Sequence, residues 1–179
     1  MEYAIVVHGG AGGTSSRARR GVARAADIGM RILRGKGMAI DAAVAAVTWM
    51  EHSGIFNAGV GAILRIDGKT IETDAAVATS EGLRGAVGAV RGIKNPVALA
   101  RLVAELEGVR FLSGEGATEV AKRLGLEPHP GPTDRVVARW RAMMAAIERG
   151  EIKAPPPGWR SEELDLTFGP ETPGEGDVN

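Results

Sequence analysis

The chain has 179 residues, 22 basic and 22 acidic side chains, 26 glycines, 9 prolines and no cysteine. Its length fits one domain, and zero net charge withholds the electrostatic footprint of a protein whose main partner is nucleic acid or an anionic membrane. The lack of cysteine excludes disulfides, thiolate chemistry and Cys-bearing zinc sites. No apolar run approaches the ~20 residues of a membrane span, and no secretory pattern opens the chain, so a cytoplasmic protein is expected.

Residues 2 to 7, Glu-Tyr-Ala-Ile-Val-Val, read as a buried strand that ends abruptly in His8-Gly9-Gly10-Ala11-Gly12-Gly13. Ser15 or Ser16 caps a following helix whose apolar face is Val22, Ala25, Ala26, Gly29, Ile32 and Leu33, and Gly35 and Gly37 end it. A second helix begins near Asp41, where a negative charge favours the N-terminal dipole, and runs to about Glu51. It is apolar nearly all round and is expected to cover a sheet. Residues 53 to 61, Ser-Gly-Ile-Phe-Asn-Ala-Gly-Val-Gly, form a glycine-punctuated loop.

Ala62 to Ile66, the turn Asp67-Gly68 and Thr70 to Ala78 read as a β-hairpin, because Asp-Gly between apolar runs is a strong turn signal. Gly85 to Arg91 is the next strand. Asn95-Pro96 opens a helix to Glu107, with Asn as N-cap and Pro at the first helical position. Val109 to Leu112 is a short strand, a helix runs from Ser113 to Leu124, and the last runs from Thr133-Asp134 through Glu148. This order lacks the strict alternation of a doubly wound sheet and defines an α+β body over residues 1–150. Residues 151–179 change character: five prolines, then six acids and no base between Ser161 and Asn179, the composition of a flexible linker.

Three sets of residues could carry chemistry. The loop from Gly9 to Gly13, between a strand and a helix, could cradle a phosphate and make the chain a nucleotide-binding module. It lacks the third glycine and the downstream acid of a dinucleotide fingerprint, and it has no Gly-Lys-Ser/Thr. His8 is either a base or a hydrogen-bonded structural residue; His52 and His129 are expected to be exposed. Glu72 and Asp74 share a strand face, as a catalytic carboxylate pair or as an ion-paired surface. The loop after Glu51 could turn several carbonyls onto a hard cation or serve as a connector. No complete catalytic set emerges, since neither a G-x-S-x-G elbow nor a His pair at metal-ligand spacing is present.

The motifs His8-Gly9-Gly10-Ala11-Gly12, Phe56-Asn57-Ala58-Gly59-Val60-Gly61-Ala62, Thr73-Asp74-Ala75, Gly85-Ala86-Val87, Asn95-Pro96-Val97 and Gly114-Glu115-Gly116-Ala117 together resemble the plant-type L-asparaginase / isoaspartyl aminopeptidase family. The resemblance spans residues 3 to 125 and implies the N-terminal, α-subunit half of an N-terminal-nucleophile hydrolase with an αββα four-layer sandwich. It implies a precursor that cuts its own backbone after Asn179, freeing a threonine nucleophile on a β subunit, and an (αβ)2 assembly.

It further implies that Asn57 positions that threonine and that His8, Gly9 and Gly10 shape the active-site entrance. The main-chain carbonyls of Met50, Glu51, Ser53, Phe56, Ala58 and Val60 would hold a structural Na+ or K+, with no organic cofactor. The substrates implied are the L-asparagine side-chain amide and isoaspartyl dipeptides; a related amidase acting on glycosylasparagine or a protein Asp-Gly bond is the alternative. The sequence departs from the family's pattern at Ala78-Thr79-Ser80-Glu81-Gly82, where Met-Asp-Gly is usual, and at Asn179, where Gly is frequent.

Overall fold

Helix-forming side chains and caps account for the first two elements seen in the computed structural model, which describes residues 2–11 and 15–151. Helix α1 spans Ser16–Arg34; the Ser15 hydroxyl accepts a hydrogen bond from the Ala18 N–H at 3.1 Å, and Gly21, Ala25, Gly29 and Leu33 are buried. Helix α2 spans Ala39–His52. Small residues set the spacing of this pair: a Cβ on Gly29 would lie 2.9 Å from the Ala42 carbonyl oxygen. Helix α2 packs chiefly on α1, with only a few contacts to the sheet, so the sheet-covering role expected of it is not what the structure shows. That role belongs to a later helix.

Strands β1 (Glu72–Ala78) and β2 (Arg84–Arg91) pair antiparallel, and β2 pairs parallel with the short β3 (Phe111–Ser113). The order is β1-β2-β3. A parallel neighbour requires a crossover, supplied by α3 (Pro96–Glu105) lying on β2 and β1. Gly85 permits this close approach, since a Cβ there would meet the Ala104 backbone. Val87, Val90, Leu99, Ala100, Val103, Ala117 and Ala121 form the core, the last two from α4 (Gly114–Arg123). The Thr79-to-Gly82 turn joining β1 and β2 closes with a Gly82 N–H to Thr79 carbonyl bond of 3.1 Å. Helix α5 spans Asp134–Glu148.

The chain divides into two units, Met1–Ala142 and Met143–Asn179. The described part of the second holds the end of α5 and an Arg149–Glu151 ion pair at 2.6 Å.

Three further expectations need correction. Residues 2 to 8 are extended, with burial that alternates along the chain, and are not a buried strand: no ladder partner is present for them among the described residues, and Val6 is 94% exposed. Of the hairpin, the turn forms, with Arg65 N–H bonded to the Thr70 carbonyl at 2.8 Å, but residues 62 to 66 make no further ladder and are not a strand. Asn95 does not cap α3 with its side chain, which is drawn instead to a buried carboxylate. The linker at 151–179 falls outside the described residues except for Glu151.

Candidate active site

Two glycine-bearing segments meet over one aromatic ring. Phe56 is buried between the His8–Gly10 loop and α1: a Cβ on Gly9 would lie 2.8 Å from its ring, and one on Gly21 2.9 Å. The Phe56 ring therefore requires hydrogen at both positions, and its insertion brings Asn57 opposite His8. Together they line a groove of about 700 Å³ with Gly10, Ser15, Ile55 and Ala58. His8 is exposed, and its Nδ1 accepts from the Gly10 N–H at 3.0 Å, which closes the loop locally. The Asn57 Oδ1 accepts from the Ile63 N–H at 3.0 Å, while its amide NH2 has no partner among the described residues and can donate to a group arriving at the groove.

Behind the groove, the chain from Met50 to Gly61 is tightly wound. A Cβ on Gly61 would fall on the Phe56 carbonyl oxygen, and Gly59, at φ +50°, lies where a Cβ would come within 2.8 Å of the Glu51 carbonyl oxygen and 2.7 Å of that of Lys94. Of the six carbonyls the family resemblance assigns to a cation, Met50 accepts from the Ser53 hydroxyl at 2.7 Å and Ala58 from the Gly61 N–H at 3.0 Å. Those of Glu51, Ser53, Phe56 and Val60 accept no hydrogen bond among the described residues. Carbonyl oxygens without a hydrogen bond among the described residues, on a loop this compact, are donors of the hard-oxygen type that a hard cation takes.

The side chain of Glu51 has a separate role that sequence reasoning missed. It is 2% exposed; Oε1 accepts from the Val97 N–H at 3.1 Å and Oε2 from the Asn95 Nδ2 at 2.9 Å. A carboxylate from the end of α2 thus caps the N-terminus of α3, the favourable end of the helix dipole for negative charge. Burial raises its pKa from 4.5 to about 7, against the opposing pull of these two hydrogen bonds. An Asn-Pro helix start with a glutamate at the end of the preceding apolar helix was the available signal.

His129 is half-buried and not exposed as expected. Its Nδ1 accepts from the Gly131 N–H at 3.0 Å, which leaves Nε2 as the protonated nitrogen donating to the Gly59 carbonyl at 3.0 Å. Arg135 donates to the Gly54 carbonyl at 2.5 Å and the Trp140 indole to that of Ile66 at 3.3 Å. The segment from His129 to Trp140 therefore holds the Asn57 loop by its main-chain oxygens.

Glu72 and Asp74 are a surface pair engaged elsewhere. Glu72 bonds to Arg91 and Arg65, and the Arg91 guanidinium foremost holds it below the usual carboxylate range. Asp74 accepts from the Ala89 N–H at 2.8 Å, bracing a bulge in β2 at which Ala89 adopts φ +49°. Gly12, Gly13 and Asn179 lie outside the described residues.

The groove thus presents an amide donor and a shaped entrance, and the Ser15 hydroxyl that lines it is engaged as a helix cap. The profile of the family described as Asparaginase matches residues 1–164, and the chain belongs to that family. It is 40% identical to the plant-type L-asparaginase of Pyrococcus horikoshii and 41% to that of Thermococcus kodakarensis, each over 84% of this chain. With the isoaspartyl peptidase/L-asparaginase of Mus musculus it shares 45% identity over 73% of its length. These alignments cover 50%, 51% and 41% of the respective relatives, so the chain spans about half the length of the curated relatives it matches.

Proposed function

We propose that this chain is the α part of an amidohydrolase that cleaves the side-chain amide of L-asparagine, isoaspartyl dipeptides, or both. The observation that carries the reading is the Asn57 amide, without a partner among the described residues, on the wall of a groove in a chain 40% identical to a plant-type L-asparaginase. The attacking group is a threonine at the start of a second, β part, released when a precursor is cut; the two parts complete an αββα sandwich and pair as (αβ)2 in the cytoplasm. The extended residues 2 to 8, with their open backbone hydrogen-bonding groups, favour such a complement.

The chemistry divides between the two parts. The threonine amine accepts the proton of the hydroxyl, which attacks the amide carbonyl; ammonia or an amino acid leaves, and water hydrolyses the resulting ester. The Asn57 NH2 donates to the nucleophile segment and fixes the hydroxyl's direction, the kind of positioning on which rate depends steeply. His8, Gly9 and Gly10 shape the entrance. The carbonyls of Met50, Glu51, Ser53, Phe56, Ala58 and Val60 would hold Na+ or K+, which stiffens the loop presenting Asn57.

Mass spectrometry of the full-length gene product tests the reading. The expected result is two fragments, the second beginning with threonine, together with ammonia release from L-asparagine or hydrolysis of β-aspartyl dipeptides. A single uncut chain inert towards both substrates overturns it.

A further inference from the structure

Both ring nitrogens of His129 are engaged, and the residue stands on a braced piece of backbone. Its N–H donates to the Gly92 carbonyl at 3.0 Å, the Lys94 N–H donates to the Glu127 carbonyl at 2.9 Å, and Pro128 pairs antiparallel with Ile93. Residues 127–129 are thereby tied to the segment between β2 and α3. The Nδ1 accepts from the Gly131 N–H, which leaves the Nε2–H aimed at the Gly59 carbonyl at 3.0 Å. Satisfying that carbonyl does not require the histidine, because it already accepts from the Ala62 N–H at 3.0 Å. A second donor on one oxygen adds direction more than stability. What it directs is a short turn. Gly59 is wedged where a Cβ would fall 2.7 Å from the Lys94 carbonyl oxygen, so packing holds the turn on one side and His129 holds it at the carbonyl. The residue after Ala62 is Ile63, whose N–H bonds the Asn57 Oδ1 at 3.0 Å. With Oδ1 held there, the NH2 is the end of the amide left to donate.

We propose that His129 is a positioning residue for the reaction, acting through the turn from Gly59 to Ala62 to fix the angle at which the Asn57 amide donates. This inference rests on the amidohydrolase reading above and adds to it a side chain 70 residues along the chain from the carbonyl it holds. Arg135 pins the same loop ahead of Asn57, by the Gly54 carbonyl at 2.5 Å, so His129 sets the end that follows Asn57. An Asn57 amide turned out of line leaves substrate binding alone and misdirects the attacking hydroxyl, a loss that falls on kcat and not on KM.

The test uses the processed full-length protein with L-asparagine and β-aspartyl-leucine, and compares His129→Gln with His129→Met. The Gln Nε2 reaches as far as the imidazole Nε2, whereas Met has the same length and no donor. Both lack the Nδ1 acceptor, so their difference reports the bond to Gly59 alone. In His129→Met kcat is expected to fall about tenfold with KM within about twofold of the wild type; His129→Gln recovers most of the loss, and the two variants share one Tm. In an Asn57→Ala background the difference between Met and Gln disappears, because the group through which His129 acts is gone. Equal kcat for Met and Gln in the presence of Asn57 overturns the inference. So does a difference that persists undiminished without Asn57, which is the signature of a structural role. Where His129→Met fails to fold or to be processed, His129→Asn, too short to reach Gly59, takes its place, and a kcat equal to that of His129→Gln again overturns the inference. Hydrolysis of neither substrate by the wild type overturns the amidohydrolase reading itself, and the positioning role with it.

Discussion

Replacement of Glu51 isolates one buried charge and its pH dependence. In the folded chain its carboxyl titrates at about 7, against 4.5 in an unfolded one. Between those values the folded state keeps a proton that the unfolded state has lost, so stability is greatest below pH 4.5 and falls as pH rises through about 7. The full difference is about 3 kcal/mol. Glu51→Gln preserves the volume and, with the Asn95 amide turned over, both hydrogen-bonding contacts, but it cannot titrate. Urea unfolding of the full-length protein at pH 5 and pH 8 is the assay. The wild type is expected to lose most of that difference across the interval while Glu51→Gln stays flatter by the same amount. Glu51→Ala, which leaves the buried Val97 N–H unpaired and the Asn95 Nδ2 with only its 3.4 Å bond to the Thr48 carbonyl, costs about 2–4 kcal/mol at pH 5 and less at pH 8, where the wild type has lost its proton-linked stability. Parallel wild-type and Glu51→Gln profiles between pH 5 and pH 8 would refute the assignment.

Other substitutions probe the loop and the open edge. Gly61→Ala drives a methyl group onto the Phe56 carbonyl and is expected to lower Tm by several degrees and to displace Asn57, measured by calorimetry and by the rate of precursor cleavage. Asn57→Ala frees only the exposed Ile63 N–H, so stability changes by about 1 kcal/mol or less, whereas kcat falls at least about tenfold; a normal kcat removes Asn57 from the mechanism. Exchange of Na+ and K+ for a bulky organic cation is expected to lower Tm reversibly, read in a thermal melt with and without added salt of either metal. The 179-residue chain expressed alone is expected to associate, because Val6 and the backbone groups of residues 2 to 8 are open; a monomer with a sharp two-state melt contradicts this.

Periodicity and punctuation made much of the chain legible. The Ser15 cap and the Ala25–Gly29–Leu33 stripe foretold α1, the Asn95-Pro96 start foretold α3, and the strands at 72–78 and 84–91 appear where β-rich runs flank turn residues. These signals are local, written in residues three, four or two apart. The N-terminal run was misread because apolar composition cannot tell a paired strand from a segment that pairs with none of the described residues. Helix α2 was misassigned to the sheet for a related reason: a helix apolar on most faces does not name its neighbour, and small residues such as Gly29 decided in favour of α1.

The candidate site shows the same division. The sequence alone determined that glycines crowd residues 9–13 and 54–61 and that Asn57 stands among them. Only tertiary structure seated Phe56 between the His8–Gly10 loop and α1, turned Glu51 inward to cap a helix 46 residues away, and brought His129, Arg135 and Trp140 onto the carbonyls of Gly59, Gly54 and Ile66. Those partners are far apart in the chain and carry no shared spacing. They meet because buried hydrogen-bonding groups must be satisfied and the core must close without voids, conditions that hold only for the folded whole.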